Sequence, residues 1–336
     1  MLLALGAAAP AAAQAPAGAG YHVTKTIEIG GEGGWDYLAY EPSRRHLFVS
    51  HSTEVDVVDP DSGAVVGRIP DTPGVHGIAI ADDIGRGFVS DGRDSSVTIF
   101  DLATLRTIAK LHVPARNPDA IMYDSVTGRV FTFNGGSGTA TALDGRKGTV
   151  IGSVELGGKP EFAVADGRGG IFVNIEDRSE LVVIDARSLT VKSRWPLAGC
   201  EDPSALAIDR KHGRLFSGCG NEKLMITDAR NGHVVATPAI GRGVDAGAFD
   251  PGAGLAFSST GDGNLSVIRE VSPDSFVVAA QVPTRRGART MALDPTTHRV
   301  FVSTASFGPA PAPTEEQPRP RPAIVPGSFV VLVLEP

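Results

Sequence analysis

A phenylalanine recurs at positions 48, 88, 131, 172, 216, 257 and 301, at intervals of 40 to 44 residues. Self-similarity at that period constrains the fold more than any other feature, because one copy is too short to bury its own apolar face and must stack on the next. Eight residues before each phenylalanine stands another apolar residue: Tyr40, Ile80, Tyr123, Val164, Ile208, Phe249 and Leu293. The residues between them are rich in Gly, Asp, Pro and Arg, as at 41–46 and 294–298. Two short apolar runs joined by such a turn read as a β-hairpin, strands a and b of each copy.

A third run, usually closed by an acid, follows at 55–59, 97–101, 181–185 and 224–228, and a fourth at 65–69, 150–154 and 234–237. Four strands per copy and seven copies predict an all-β, seven-bladed β-propeller with four antiparallel strands per blade. The chain ends predict how the ring closes. The seventh copy has strands a (about 290–293), b (299–303) and c (329–334), and its missing fourth strand is available at 23–27. Pairing first residues with last removes the open edges of a linear array. Residues 21–336 are therefore expected to form one propeller domain, although 336 residues would by length alone suggest two.

The b-strand segments read Leu47-Phe-Val-Ser50, Gly87-Phe-Val-Ser90, Val130-Phe-Thr-Phe133, Ile171-Phe-Val-Asn174, Leu215-Phe-Ser-Gly218, Ala256-Phe-Ser-Ser259 and Val300-Phe-Val-Ser303. With the turns before them, they resemble the YncE-like family of YVTN β-propeller repeat proteins across residues 21–336. Phe stands where that family has Tyr, and Ser often replaces Thr. A WD40 signature is not repeated, since the single Trp35-Asp36 precedes strand a instead of ending strand c. The resemblance implies an exported seven-bladed propeller and no particular reaction, so function has to be argued from a site.

Residues 1–20 are Ala-rich and apolar and contain Ala13-Gln14-Ala15, the pattern of a signal peptide or its remnant. That points to a periplasmic or secreted protein. No later stretch is long and apolar enough to span a membrane. The net charge of -7 argues against nucleic-acid binding, which needs a concentrated positive surface. Cys200 precedes strand a of the fifth copy and Cys219 follows its strand b. Antiparallel pairing brings both to one end of the hairpin, which favours a disulfide over two buried thiols.

Strand polarity sorts the remaining candidates. Residues before strand a and after strand b share one face, called top here, while the a–b and c–d turns lie at the bottom. His46, His212, His233 and His298 fall in bottom turns, with His22 on the same side, and all are expected in solvent. The positions opening strand a form a ring of Asp36, His76, Asp119, Glu161, Asp202, Asp245 and Arg289. Those following strand b add His51, Asp91, Asn134, Glu176, Asn221 and Asp262. Of these, Asp36, His51, His76, Asp91, Asp119, Glu161, Asp202, Asp245 and Arg289 are the candidate ligand-binding residues.

Acids and imidazoles at a channel mouth suit a cationic ligand or a divalent metal. They also suit acid–base chemistry in a metal-assisted lyase or hydrolase using Asp36, His51, His76 and Glu161. Against this stands the ordinary use of Asp and Asn to satisfy loop amides. Lys159 and several arginines map to the same face, so the ring is mixed in sign. The expected role is a monomeric scaffold binding a small ligand or a peptide at the top face, with no certain cofactor.

The one long insertion, 308–327 between strands b and c of the last copy, is proline-rich. It reads either as a lid over the channel, with Arg319 and Arg321 facing the acids, or as a plain surface loop. Catalytic and phosphate-binding motifs are absent. The glycine-rich run at 30–34 has no helix to complete a phosphate site.

Overall fold

Strand b of every repeat is buried at nearly every position, with apolar residues at its centre, whereas strand d is mostly exposed or half-buried. A strand covered on both faces reads as a continuous apolar run, and one with a solvated face alternates. The computed structural model, which describes residues 20–312 and 322–336, explains the contrast. Seven four-stranded antiparallel sheets each run a-b-c-d, and the seven a strands pack against one another in a closed ring. Strands b and c are sandwiched between neighbouring blades, and strand d forms the rim.

Blade 1 is built from Trp35–Glu41, His46–His51, Glu54–Asp59 and Ala64–Ile69. The ring closes as the repeat count required. His22–Glu28 pairs antiparallel with Val330–Glu335 and supplies the fourth strand of blade 7. Beyond the strands, two single turns of 3-10 helix occur among the described residues, Asp82–Ile84 and Glu176–Arg178. No helix among these residues is long and apolar enough to cross a membrane.

The core is divided into joints between blades. Each repeating phenylalanine is at most 3% exposed and fills the joint between its own blade and the next. Phe48 packs with Val89 and Phe100 of blade 2, and Phe131 with Ile171 and Val173 of blade 4. Phe301 packs with Leu47 of blade 1, so the joint that closes the ring is made like the others. Truncating one such ring would cost about 3–5 kcal/mol, which is why the aromatic recurs so strictly. The Cys200–Cys219 disulfide is present, spanning 19 residues at the top of blade 5.

Candidate functional site

The residues that open strand a reach the channel through a local break in pairing. In blades 1, 2, 3, 4 and 6 the a–b ladder loses register near the start of strand a. The residues left out of register are Asp36-Tyr37, His76-Gly77, Asp119-Ala120, Glu161-Phe162 and Asp245. A bulge of this kind bends the strand and re-aims side chains. The serine of the repeated Phe-Val-Ser segment supports it. Ser50 Oγ accepts the Asp36 amide at 3.0 Å and Ser90 Oγ the Gly77 amide at 2.8 Å. Ser259 Oγ donates to the Ala246 carbonyl at 3.3 Å and also to that of Arg289.

A cavity of about 430 Å³ opens at the channel mouth, lined by Asp36, Tyr37, Asp119, Glu161, Glu176, Asp202 and Asp245 together with Lys159 and Arg289. Beneath the acids, Tyr37 of blade 1 stacks on Phe162 of blade 4 with ring centroids 4.6 Å apart, bridging the channel. Burial first, then the charges of Asp119 and Asp36, hold the Tyr37 phenol well above its usual range.

Three cations lie among these acids. His76 Nδ1 sits 2.7 Å from Asp36 Oδ2 in a hydrogen bond and 3.7 Å from Asp119 Oδ1. Burial works against its charged form, but the bond to Asp36 and the charge of Asp119 outweigh it and push the imidazole up to about 9. Lys159 Nζ lies 2.7 Å from Glu161 Oε1 and also bonds Glu176. Arg289 Nε lies 2.9 Å from Asp245 Oδ2.

These cations do not satisfy the acids. Burial pushes Asp119 up to about 6, with His76 opposing the rise and Asp36 adding to it. Glu161 is raised to about 7 by burial and by Asp119, against the pull of Lys159. Asp245 is also raised to about 7 by burial, opposed by Arg289 and reinforced by Asp36 and Asp119. Three carboxylates at one mouth therefore titrate near neutrality.

Two sequence candidates are not in this cavity. His51 is 5% exposed and turns into blade 1, where its Nδ1 lies 3.0 Å from Asp56 Oδ2 and its ring packs on Phe329. Gly31, at φ 77°, lies over that ring, and a Cβ there would meet His51 Cε1 at 2.4 Å. The glycine-rich run is thus a cover for a buried histidine. Asp91 is fully buried and accepts hydrogen bonds from Ser96 and Thr98 of the next strand. Both side chains occupy the last position of strand b, where the pleat directs them toward strand c. Asn134 behaves the same way, bonding Thr139 and Thr141.

Glu176, one residue beyond the equivalent Ile175, does line the cavity. Asn221 and Asp262 bond nearby loops, Asn221 to the Gly199 carbonyl and Asp262 to the Arg242 amide. Sequence reasoning missed Tyr37, Ser204, Gly220 and Val244 in the lining; for Tyr37 the signal was adjacency to Asp36 in a bulged pair. Residues 313–321, including Arg319 and Arg321, lie outside the described residues, as does the segment 1–19. The flanks of that insertion pair with each other through Phe307 and Ile324 and border a second hollow of about 400 Å³ that shares Arg289.

Three bottom-face histidines are not free in solvent as expected: His46 buries its Nδ1 and meets Phe48 edge-on, and two others sit against acids. His298 Nδ1 lies 2.6 Å from Asp250 Oδ2. His212 sits between Asp209 and Glu270.

No protein-family model and no curated protein matches the chain. Among solved structures, 1844 chains match, so the architecture alone does not select a function. One is a chain from the crystal structure of a mitotic checkpoint complex. It has a TM-score of 0.76 at 16% sequence identity, covering 100% of this chain and 97% of that one. At this identity the likeness establishes the seven-bladed propeller fold.

Proposed function

We propose that the protein is an exported, YncE-like binding propeller that receives a cationic small ligand, or a basic side chain of a peptide, at the top mouth of its channel. One observation carries the reading. Six carboxylates (Asp36, Asp119, Glu161, Glu176, Asp202 and Asp245) meet around a cavity of about 430 Å³, and among the described residues Lys159, Arg289 and His76 balance them. Desolvated acids that outnumber their cations attract further positive charge, and an ammonium or guanidinium ligand would relieve their repulsion. The composition of residues 1–20 and the Cys200–Cys219 disulfide support export. The repeated Phe-Val-Ser segments support the family reading.

The test is calorimetric titration of the full chain at pH 8 with a short linear diamine and with a lysine-containing tripeptide. Glu161→Gln combined with Asp245→Asn should weaken binding about tenfold or more, the scale of a charge-assisted hydrogen bond. Absence of binding to the unaltered chain, or binding indifferent to both substitutions, overturns the reading.

A metal-assisted lyase or hydrolase is the second reading, favoured by donor atoms of Asp36, His76 and Asp119 within 4.8 Å of one another. It loses His51, which is buried against Asp56. It also needs a neutral His76, whereas the flanking carboxylates hold that ring protonated up to about 9.

A further inference from the structure

Blade 6 departs from the repeat at the bottom of the ring. Its strands c and d, Asn264–Ser272 and Ser275–Pro283, are nine residues long, against six for strand c in the other blades. The extended hairpin leans on blade 5. Arg214 donates from Nε to the Pro273 carbonyl at 2.7 Å and from Nη2 to Asp274 at 2.8 Å, and Phe276 meets Phe216 edge-on at 5.8 Å. The lean carries Glu270 over the a–b turn of blade 5, which holds Asp209 and His212.

There the geometry is unusual. His212 Nδ1 lies 2.7 Å from Asp209 Oδ2 and 2.7 Å from Glu270 Oε1. One ring nitrogen carries at most one proton and cannot aim it at two oxygens. In fact its N–H is aligned on neither oxygen, and among the described residues no donor is aligned on Glu270, whose close polar neighbours are the His212 ring and the Asp209 carboxylate, itself an acceptor. The Glu270 side chain is 5% exposed and that of Asp209 2%, while His212 is 31% exposed and open to solvent. Leaving a buried carboxylate unpaired is costly, and nature normally resolves it with a partner or a metal. The contrast with His76 is direct, since that ring does form an aligned bond to Asp36.

We propose that Asp209, His212 and Glu270 form a divalent transition-metal site that clips blade 5 to blade 6 on the bottom face. A metal at the shared vertex bonds all three donors at once, which a single proton cannot do. One imidazole and two carboxylates suit a borderline ion such as Zn²⁺ better than Ca²⁺, which takes six to eight oxygens. Tetrahedral bonds of roughly 2.0–2.2 Å place neighbouring donors about 3.3–3.6 Å apart, so the two His212 contacts at 2.7 Å would open by somewhat under 1 Å, about the reach of a side-chain adjustment. The turn itself is held ready, because the Asp209 carboxylate accepts the Lys211 amide at 2.9 Å and the His212 amide at 3.2 Å. Solvent on the His212 side supplies the remaining ligands.

The test uses the full chain, stripped with chelator and then titrated with Zn²⁺ alone, following metal content and thermal unfolding. The expected result is uptake of about one Zn²⁺ per chain with a rise in melting temperature. Both should be lost in His212→Ala and in Glu270→Gln, and kept in His76→Ala; Ca²⁺ should produce neither. Should Glu270→Gln fail to fold, His212→Ala at its partly exposed position carries the test. No uptake, uptake that survives His212→Ala, or uptake abolished by His76→Ala overturns the proposal.

Discussion

The two ends of the ring use the same side chain in opposite ways. At the bottom, the aspartates that close strand c accept amides from the turn that follows. Asp101 takes those of Ala103 and Thr104, Asp144 those of Arg146 and Lys147, and Asp185 those of Arg187 and Ser188. Donors lower a carboxylate, and Asp59, Asp101 and Asp144 all lie below the ordinary value. Asp185 falls to about 2 through the Ser188 amide, and Asp228 to about 2 through the Arg230 guanidinium. At the top, Asp119, Glu161 and Asp245 are raised by burial into a shared cavity. The repeat places acids at both ends; the aspartates that close strand c are satisfied by their own turns, whereas Asp119, Glu161 and Asp245 at the channel mouth are not. Acids left unsatisfied by the fold mark where a ligand is wanted.

The largest way to disturb this contrast is at the top rim. Replacing Cys200 and Cys219 by Ser should lower the unfolding free energy by about 3 kcal/mol in the chain-entropy model, read from denaturant unfolding. It should also weaken cation binding, because Asp202 and Gly220 of the tethered loops line the cavity.

Next comes a matched pair of charge removals. Asp228→Ala strips hydrogen bonds from Arg230 and an ion pair from Arg214, and should cost about 2 kcal/mol. Asp245→Asn should show the opposite sign at pH 8, a gain on the order of 1 kcal/mol, because it removes a charge that burial disfavours. Loss of stability in both would mean that top and bottom acids are equivalent.

Much of this was legible in the sequence. The phenylalanine period reports the blade joints, and the acids before strand a report the channel mouth because strand polarity is fixed by hairpin order. What misled was a single step of the pleat. His51 and Asp91 sit at the last residue of strand b and point into the blade, while Glu176, one residue later, reaches the cavity; one residue reverses the face. The trio of Asp209, His212 and Glu270 was hidden for another reason. Glu270 comes from the neighbouring blade, and the strand extension that delivers it leaves no local motif.

The most direct test of the contrast is a carboxyl-carbon NMR titration of the folded chain. An acid raised in the folded state binds more protons there than when unfolded, so its contribution to stability falls as pH rises from about 4 to about 7. For a lowered acid such as Asp228 the contribution is present above about 4 and is lost as pH falls toward 2. The account predicts midpoints of about 6 for Asp119 and about 7 for Glu161 and Asp245, with Asp185 and Asp228 at about 2. Midpoints for all five clustered near the ordinary value of about 4 would contradict it.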